Sequence, residues 1–215
     1  MALIDYLRKN WFDLLGELSL EKHQLGDEIF TDLIDVYSHP DRHYHNLKHI
    51  KEILCLLQEV KYLSQNYYAL VLSAWFHDYI YNPQAGNNEQ LSAIYAERVL
   101  SKLSIDFKTT YLTTEIIRST QKHQPLIENI DNLIFLDADL AILGTTTKKY
   151  FQYTRSIRQE YKYLSDRNYR QGRTKVLTQF LTRPKIYYTD YFYRYLEANA
   201  RKNLQAEIKL LNSNN

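Results

Sequence analysis

Apolar residues recur every three to four positions along almost the whole chain, which is the spacing of one face of an α-helix. Leu3, Leu7, Trp11, Leu14 and Leu15 predict a first helix. Leu25, Ile29, Leu33 and Val36 predict a second, ending near Pro40. Leu47, Ile50, Ile53, Leu54 and Leu57 predict a third. A fourth buries Tyr67, Leu70, Val71, Ala74 and Trp75, with Ser64 able to cap it and Pro83 and Gly86 marking the loop beyond. Leu91, Ile94, Val99 and Leu103 mark a fifth. Asp106 can cap a sixth, with Leu112, Ile116 and Ile117, stopping before Pro125. Leu133, Leu136, Leu140 and Leu143 belong to a seventh, which Gly144 ends. Three more are expected at about 147–164, 170–182 and 189–211. The run Lys185-Ile186-Tyr187-Tyr188-Thr189 could be extended, but it is isolated. The expected fold class is all-α.

Composition supports this reading. Only 5 glycines and 4 prolines occur in 215 residues, and these are the usual punctuation of hairpin-rich chains. The apolar fraction of 45% and charged fraction of 24% exclude a disordered chain. Cys55 is the single cysteine, which excludes an intrachain disulfide, a cysteine-rich zinc site and an iron–sulfur cluster. It also suggests a reducing, cytoplasmic setting. No run approaches the roughly 18–20 apolar residues of a membrane span, and the first residues lack a signal-peptide pattern. A soluble, cytoplasmic protein with no membrane partner is expected.

Charge is unevenly placed. Lys148 to Lys202 carries fourteen Lys and Arg against four acids, a net of +10. The remainder carries thirteen against twenty-one, a net of −8. Ten of the 20 tyrosines fall in the basic stretch. Such a segment suits a phosphate-bearing partner, a small nucleotide or a nucleic acid, and equally suits solvated helix faces.

Four places carry metal-ligand chemistry. The segment Arg42-His43-Tyr44-His45-Asn46-Leu47-Lys48-His49 places His45 and His49 four apart, on one face if both are helical. His77-Asp78 follows the core-like run Leu72 to Phe76. His123 lies near a helix end, before Pro125. Asp137-Ala138-Asp139 sits between Leu133–Leu136 and Leu140–Leu143. A buried carboxylate costs several kcal/mol unless paired or bound to a cation. Imidazoles and carboxylates together suit one divalent ion: Mn, Fe, Co, Ni, Zn or Mg. A thiolate-free set fits a catalytic site better than a structural one. Either His45 or His49, and either Asp137 or Asp139, satisfies the pattern.

At these residues the chain resembles the HD superfamily of metal-dependent phosphohydrolases, whose pattern is H…HD…D on a helical bundle. His49, His77-Asp78 and Ala138-Asp139 follow it in order. Tyr44 to His49, Phe76 to Tyr81, Asn88 to Ser92 and Leu136 to Asp139 resemble a subgroup of small HD proteins. That subgroup has Y-H-N-x-x-H, F-H-D-x-x-Y, N-E-x-x-S and L-D-A-D segments. Tyr169 to Arg173 and Ala200 to Leu204 are similar to it as well.

The resemblance implies a single HD-type domain over residues 1–215, with a core of about 23–145 and a basic, Tyr-rich helical extension of about 146–211. It implies one metal held by His49, His77, Asp78 and Asp139. It implies hydrolysis of a phosphate ester, of a nucleotide or another small phosphorylated metabolite, by a metal-activated water. Asp78 would also orient the water, and Glu89 and His123 are candidates for proton transfer. His45 and Arg173 are candidates for binding the substrate's phosphates. A non-catalytic nucleotide sensor and a nucleic-acid-binding helical protein are the competing readings.

Overall fold

The computed structural model describes residues 1–18 and 23–213. Ten α-helices run through them, with no strand among the described residues. They are α1 (Leu3–Glu17), α2 (His23–Tyr37), α3 (Leu47–Glu59), α4 (Tyr67–Phe76), α5 (Asn88–Lys102), α6 (Phe107–Thr120), α7 (Ile130–Asp139), α8 (Thr147–Glu160), α9 (Asp166–Leu181) and α10 (Asp190–Ser213). Short 3-10 turns occupy Lys61–Leu63 and Leu140–Gly144. The chain is all-α, as its periodicity predicts. Among the described residues, no helix is long and apolar enough to cross a membrane.

The helices form two compact units, Met1–Leu136 and Asp137–Asn215. The division falls inside α7, which is one continuous helix. In the first unit, α4 is buried all round from Ala69 to Phe76, as its unbroken apolar run requires. Trp75 meets Trp11 edge-on at 5.6 Å and Phe30 at 6.1 Å. Each polar ring tip in this aromatic core finds a partner. Trp11 Nε1 donates to the Gly26 carbonyl at 3.0 Å, and the Tyr37 hydroxyl donates to the Trp75 carbonyl at 2.9 Å. α3 buries the stripe expected of it, Leu47, Ile50, Ile53, Leu54 and Leu57, and α1 buries Leu7, Trp11, Leu14 and Leu15 of its stripe, while Leu3 in its first turn is half-buried.

Three local expectations are corrected. Asn66, not Ser64, caps α4, accepting the Ala69 N–H at 3.1 Å. The cause is Asp131, whose buried carboxylate takes the N–H groups of Gln65 and Asn66 at 2.9 and 2.8 Å and so fixes the start of the helix. α5 buries Ser92, Ala93, Ala96, Val99 and Leu100, while Leu91 and Ile94 are exposed. The packed face of α5 is built largely of small side chains, which let another helix approach closely. The α-helical part of the seventh segment ends at Asp139 and tightens to 3-10 before Gly144.

In the second unit, a Cβ on Gly144 would lie 2.5 Å from Leu196 Cβ and 2.9 Å from its Cα, so only glycine fits that approach. Lys185–Thr189 is irregular rather than a strand, and Ile186 and Tyr187 are fully buried there. Carboxylates satisfy its backbone. Glu197 accepts from the Ile186 and Tyr187 N–H groups, and Asp137 from those of Tyr188 and Thr189. Two of the tyrosines act here as core residues with bonded tips: Tyr187 donates to the Leu140 carbonyl, and Tyr150 to Glu207.

Candidate metal centre

The segment ahead of α3 is shaped by Asn46. Its Oδ1 accepts the Lys48 N–H at 2.9 Å and caps the helix. Its Nδ2 donates to the carbonyls of Arg42 and His43 at 3.2 and 3.0 Å. One amide therefore folds residues 42–46 into a turn and starts the helix whose first turn carries His49. The His49 ring is buried, beside the Tyr44 ring at 4.7 Å.

His77 is the residue on which α4 ends, and its side chain is 1% exposed. Its Nδ1 lies 3.1 Å from the Ala74 carbonyl. A carbonyl only accepts, so this bond requires the proton on Nδ1. That assignment leaves the His77 Nε2 lone pair facing His49 Nε2 at 3.3 Å and Asp78 Oδ2 at 2.9 Å. Asp78 Oδ2 also lies 3.8 Å from His49 Nε2. His49 Nε2 donates or accepts according to its tautomer, and a cation shared by the three atoms would satisfy them together.

Phe135 of α7 packs edge-on against the His77 ring at 5.5 Å. Asp139 is four residues on, one helical turn along the same face of that continuous helix. One ligand atom from each of His49, His77 and Asp139 lies within 4.8 Å of the others. The set fits a divalent ion. Two ligands about 2.1 Å from a metal, at a tetrahedral or octahedral angle, stand roughly 3.0–3.4 Å apart, and the two imidazole nitrogens meet that. A ring nitrogen opposite the ligating one, donating to a backbone carbonyl, is the usual support of a metal-binding histidine. A possible His/Asp metal site is therefore present.

The open alternatives of the sequence separate in space. His45 lies before the Asn46 cap, its ring against Tyr81 at 4.3 Å and 5.9 Å from that of His49. The clustered donor is His49. Asp137 is fully buried, and its carboxylate takes two N–H groups and the Thr189 hydroxyl at 2.7–2.8 Å. Burial pushes its pKa up to about 7, against the pull of those three donors. Positions 137 and 139 are two apart and look to different sides of a helix.

The other expected site residues are placed as follows. Glu89 is half-buried in the first turn of α5. His123 is half-buried just beyond α6 in the left-handed region, φ 46°. Neither belongs to the donor cluster. The Arg173 guanidinium, expected to meet substrate phosphate, makes a bidentate pair with Glu207 at 2.8 and 3.1 Å and also donates to the Tyr153 hydroxyl. Arg201 donates to Glu197 and to the carbonyls of Leu181, Arg183 and Pro184.

Residues to which the sequence reading gave no role hold the loop after Asp78. Ser92 Oγ accepts the Ile80 N–H at 2.9 Å, and Asn88 pairs with both the N–H and the carbonyl of Asn82. Arg42 donates to three carbonyls, those of His45, Asp78 and Tyr79. The available signal was their presence in motifs beside the histidines, without a stated job. Comparison with family models, curated proteins and solved structures finds no match to this chain.

Proposed function

We propose that the chain is a metal-dependent phosphohydrolase of the HD type, cleaving a phosphate ester of a nucleotide or another small phosphorylated metabolite. The observation that carries this reading is the convergence of His49, His77 and Asp78, with Asp139 on the same face of α7 as the Phe135 ring that covers His77. These four residues would hold one divalent ion, of the series Mn, Fe, Co, Ni, Zn or Mg. Bound there, the ion would polarise a phosphate oxygen and lower the pKa of a water.

The chain's own groups do the rest. The Ala74 carbonyl fixes the His77 tautomer, so that Nε2 is presented as a ligand. Asp78 is the more exposed member of the cluster, at 16% against 1–2% for the two imidazoles. Its carboxylate is therefore the group best placed to orient an incoming water. His45, half-buried beside Tyr81, offers an imidazole N–H to a substrate phosphate. Glu89 and His123 are the candidates for moving a proton. A cytoplasmic location fits the lone, unpaired Cys55.

The test uses protein purified without a metal-affinity tag. Metal content and phosphate release are measured across nucleotides and sugar phosphates, for wild type and Asp78→Ala. We expect about one ion per chain, lost in the variant, with hydrolysis down about 100-fold or more. Full metal content and full rate in the variant would sink the reading. Metal-dependent nucleotide binding without any product would replace it with a sensor.

A further inference from the structure

We infer that Arg42 is a positioning residue: its single guanidinium holds the two segments that carry the ligands, the turn ahead of α3 and the turn behind α4, in one register. This rests on the metal-site reading above and adds to it a residue that touches neither ion nor substrate.

The geometry is specific. Arg42 Nη1 donates to the Asp78 carbonyl at 2.7 Å and to the His45 carbonyl at 3.2 Å. Nη2 donates to the Tyr79 carbonyl at 2.7 Å. The guanidinium carbon stands 4.9 Å from the Tyr37 ring centroid and 5.5 Å from that of Tyr81. The Tyr37 platform is itself fixed, because its hydroxyl is bonded to the Trp75 carbonyl on α4. Carbonyls just past a helix C-terminus lack intrahelical donors, and here one planar fork supplies two of them. The same fork reaches the residue before the α3 cap, so it ties His45 to Asp78 and Tyr79 directly.

The rest of the turn is held by other means. Ser92 takes the Ile80 N–H. The Tyr79 ring stacks on Tyr95 at 3.6 Å and 7°, and both hydroxyls donate to Asp32. Arg42 connects this turn to the His49 segment through hydrogen bonds to both backbones. Its loss therefore frees the spacing between the imidazoles and the carboxylate, while the contacts of Trp75 with Trp11 and Phe30 do not involve it. Lysine cannot substitute: it is a point donor without a fork and cannot meet three carbonyls in one plane.

The experiment measures Co²⁺ binding by calorimetry and by visible absorption, on wild type, Arg42→Lys, Arg42→Ala and a control, Arg158→Lys. Arg158 likewise donates to backbone carbonyls, of Tyr161 and Leu164, and sits over a tyrosine, but it has no link to the ligands. Thermal melts establish that each protein is folded. We expect Arg42→Lys to be folded and to bind Co²⁺ about 10–100-fold more weakly, with a changed ligand-field spectrum. Arg158→Lys should match wild type in both. Wild-type affinity and spectrum in a folded Arg42 variant would overturn the inference. So would equal losses in the Arg158 control, and so would failure of both Arg42 variants to fold, which would make Arg42 a folding residue. Absence of Co²⁺ binding in wild type would instead overturn the metal-site reading beneath it, so the two failures are distinguishable.

Discussion

Glu207 in the second unit and Asp78 in the first are both shielded carboxylates, and their neighbours are opposite in kind. Glu207 faces donors: two guanidinium nitrogens of Arg173 and the Tyr150 hydroxyl. Glu197 and Asp137 are treated the same way, by Arg201 and by backbone N–H groups. Asp78 faces the Nε2 atoms of two histidines, and one of these carries its proton on the far nitrogen. The first arrangement is complete within the chain. The second sets a carboxylate beside two imidazole nitrogens, three ligand atoms that one divalent ion would join. The kind of neighbour thus separates acids held by donors from an acid set among metal-ligand atoms, although both lie beside aromatic rings.

The comparison makes opposite forecasts for the two acids. Removing Glu207 strands a buried guanidinium, so Glu207→Ala should lose about 3–5 kcal/mol of stability, read from denaturant unfolding. Asp78→Asn, melted in the presence of a chelator, should unfold at or above the wild-type temperature, because it removes a largely buried charge from a site shaped for a metal. An Asp78→Asn protein several degrees less stable than wild type would erase the distinction. A smaller effect tests the loop that presents Asp78. Ser92→Ala removes the acceptor of the Ile80 N–H, which should cost about 1 kcal/mol and weaken metal binding about tenfold. Unchanged metal affinity would show that the loop holds its shape without it. The smallest forecast is a gain. Gly172 lies within α9 with open space where a Cβ would stand, so Gly172→Ala should add roughly 0.5–1 kcal/mol and leave metal binding alone.

Much of the architecture could be read from periodicity. The stripes of α1 and α3 are amphipathic and long, and burial follows them at every position but Leu3, in the first turn of α1. α5 failed this reading because a hydrophobicity pattern rewards large apolar side chains. Leu91 and Ile94 scored well and lie exposed, while Ser92, Ala93 and Ala96 pack. Capping was half legible. Asp106 accepts from Thr109 as expected, but the start of α4 was set by Asp131, which is distant in sequence. Arg173 shows the same limit. Its charge and motif suggested a phosphate contact, and its partner Glu207, 34 residues away, could not be seen from the segment that contains it.

The sequence by itself determined that the chain is helical, roughly where each helix runs, and which few histidines and acids carry ligand chemistry. Those follow from local spacing and from residue type, which are properties of neighbours along the chain. Only the tertiary structure decided between His45 and His49 and between Asp137 and Asp139. Each pair shares one motif; Asp137 and Asp139 leave a helix on different sides, and His45 precedes the Asn46 cap while His49 follows it. What each side chain then meets is fixed by residues far away in sequence: Asp137 meets the N–H groups of Tyr188 and Thr189, and His49 meets His77. Local pattern names the donors available, and packing of distant segments determines which of them converge.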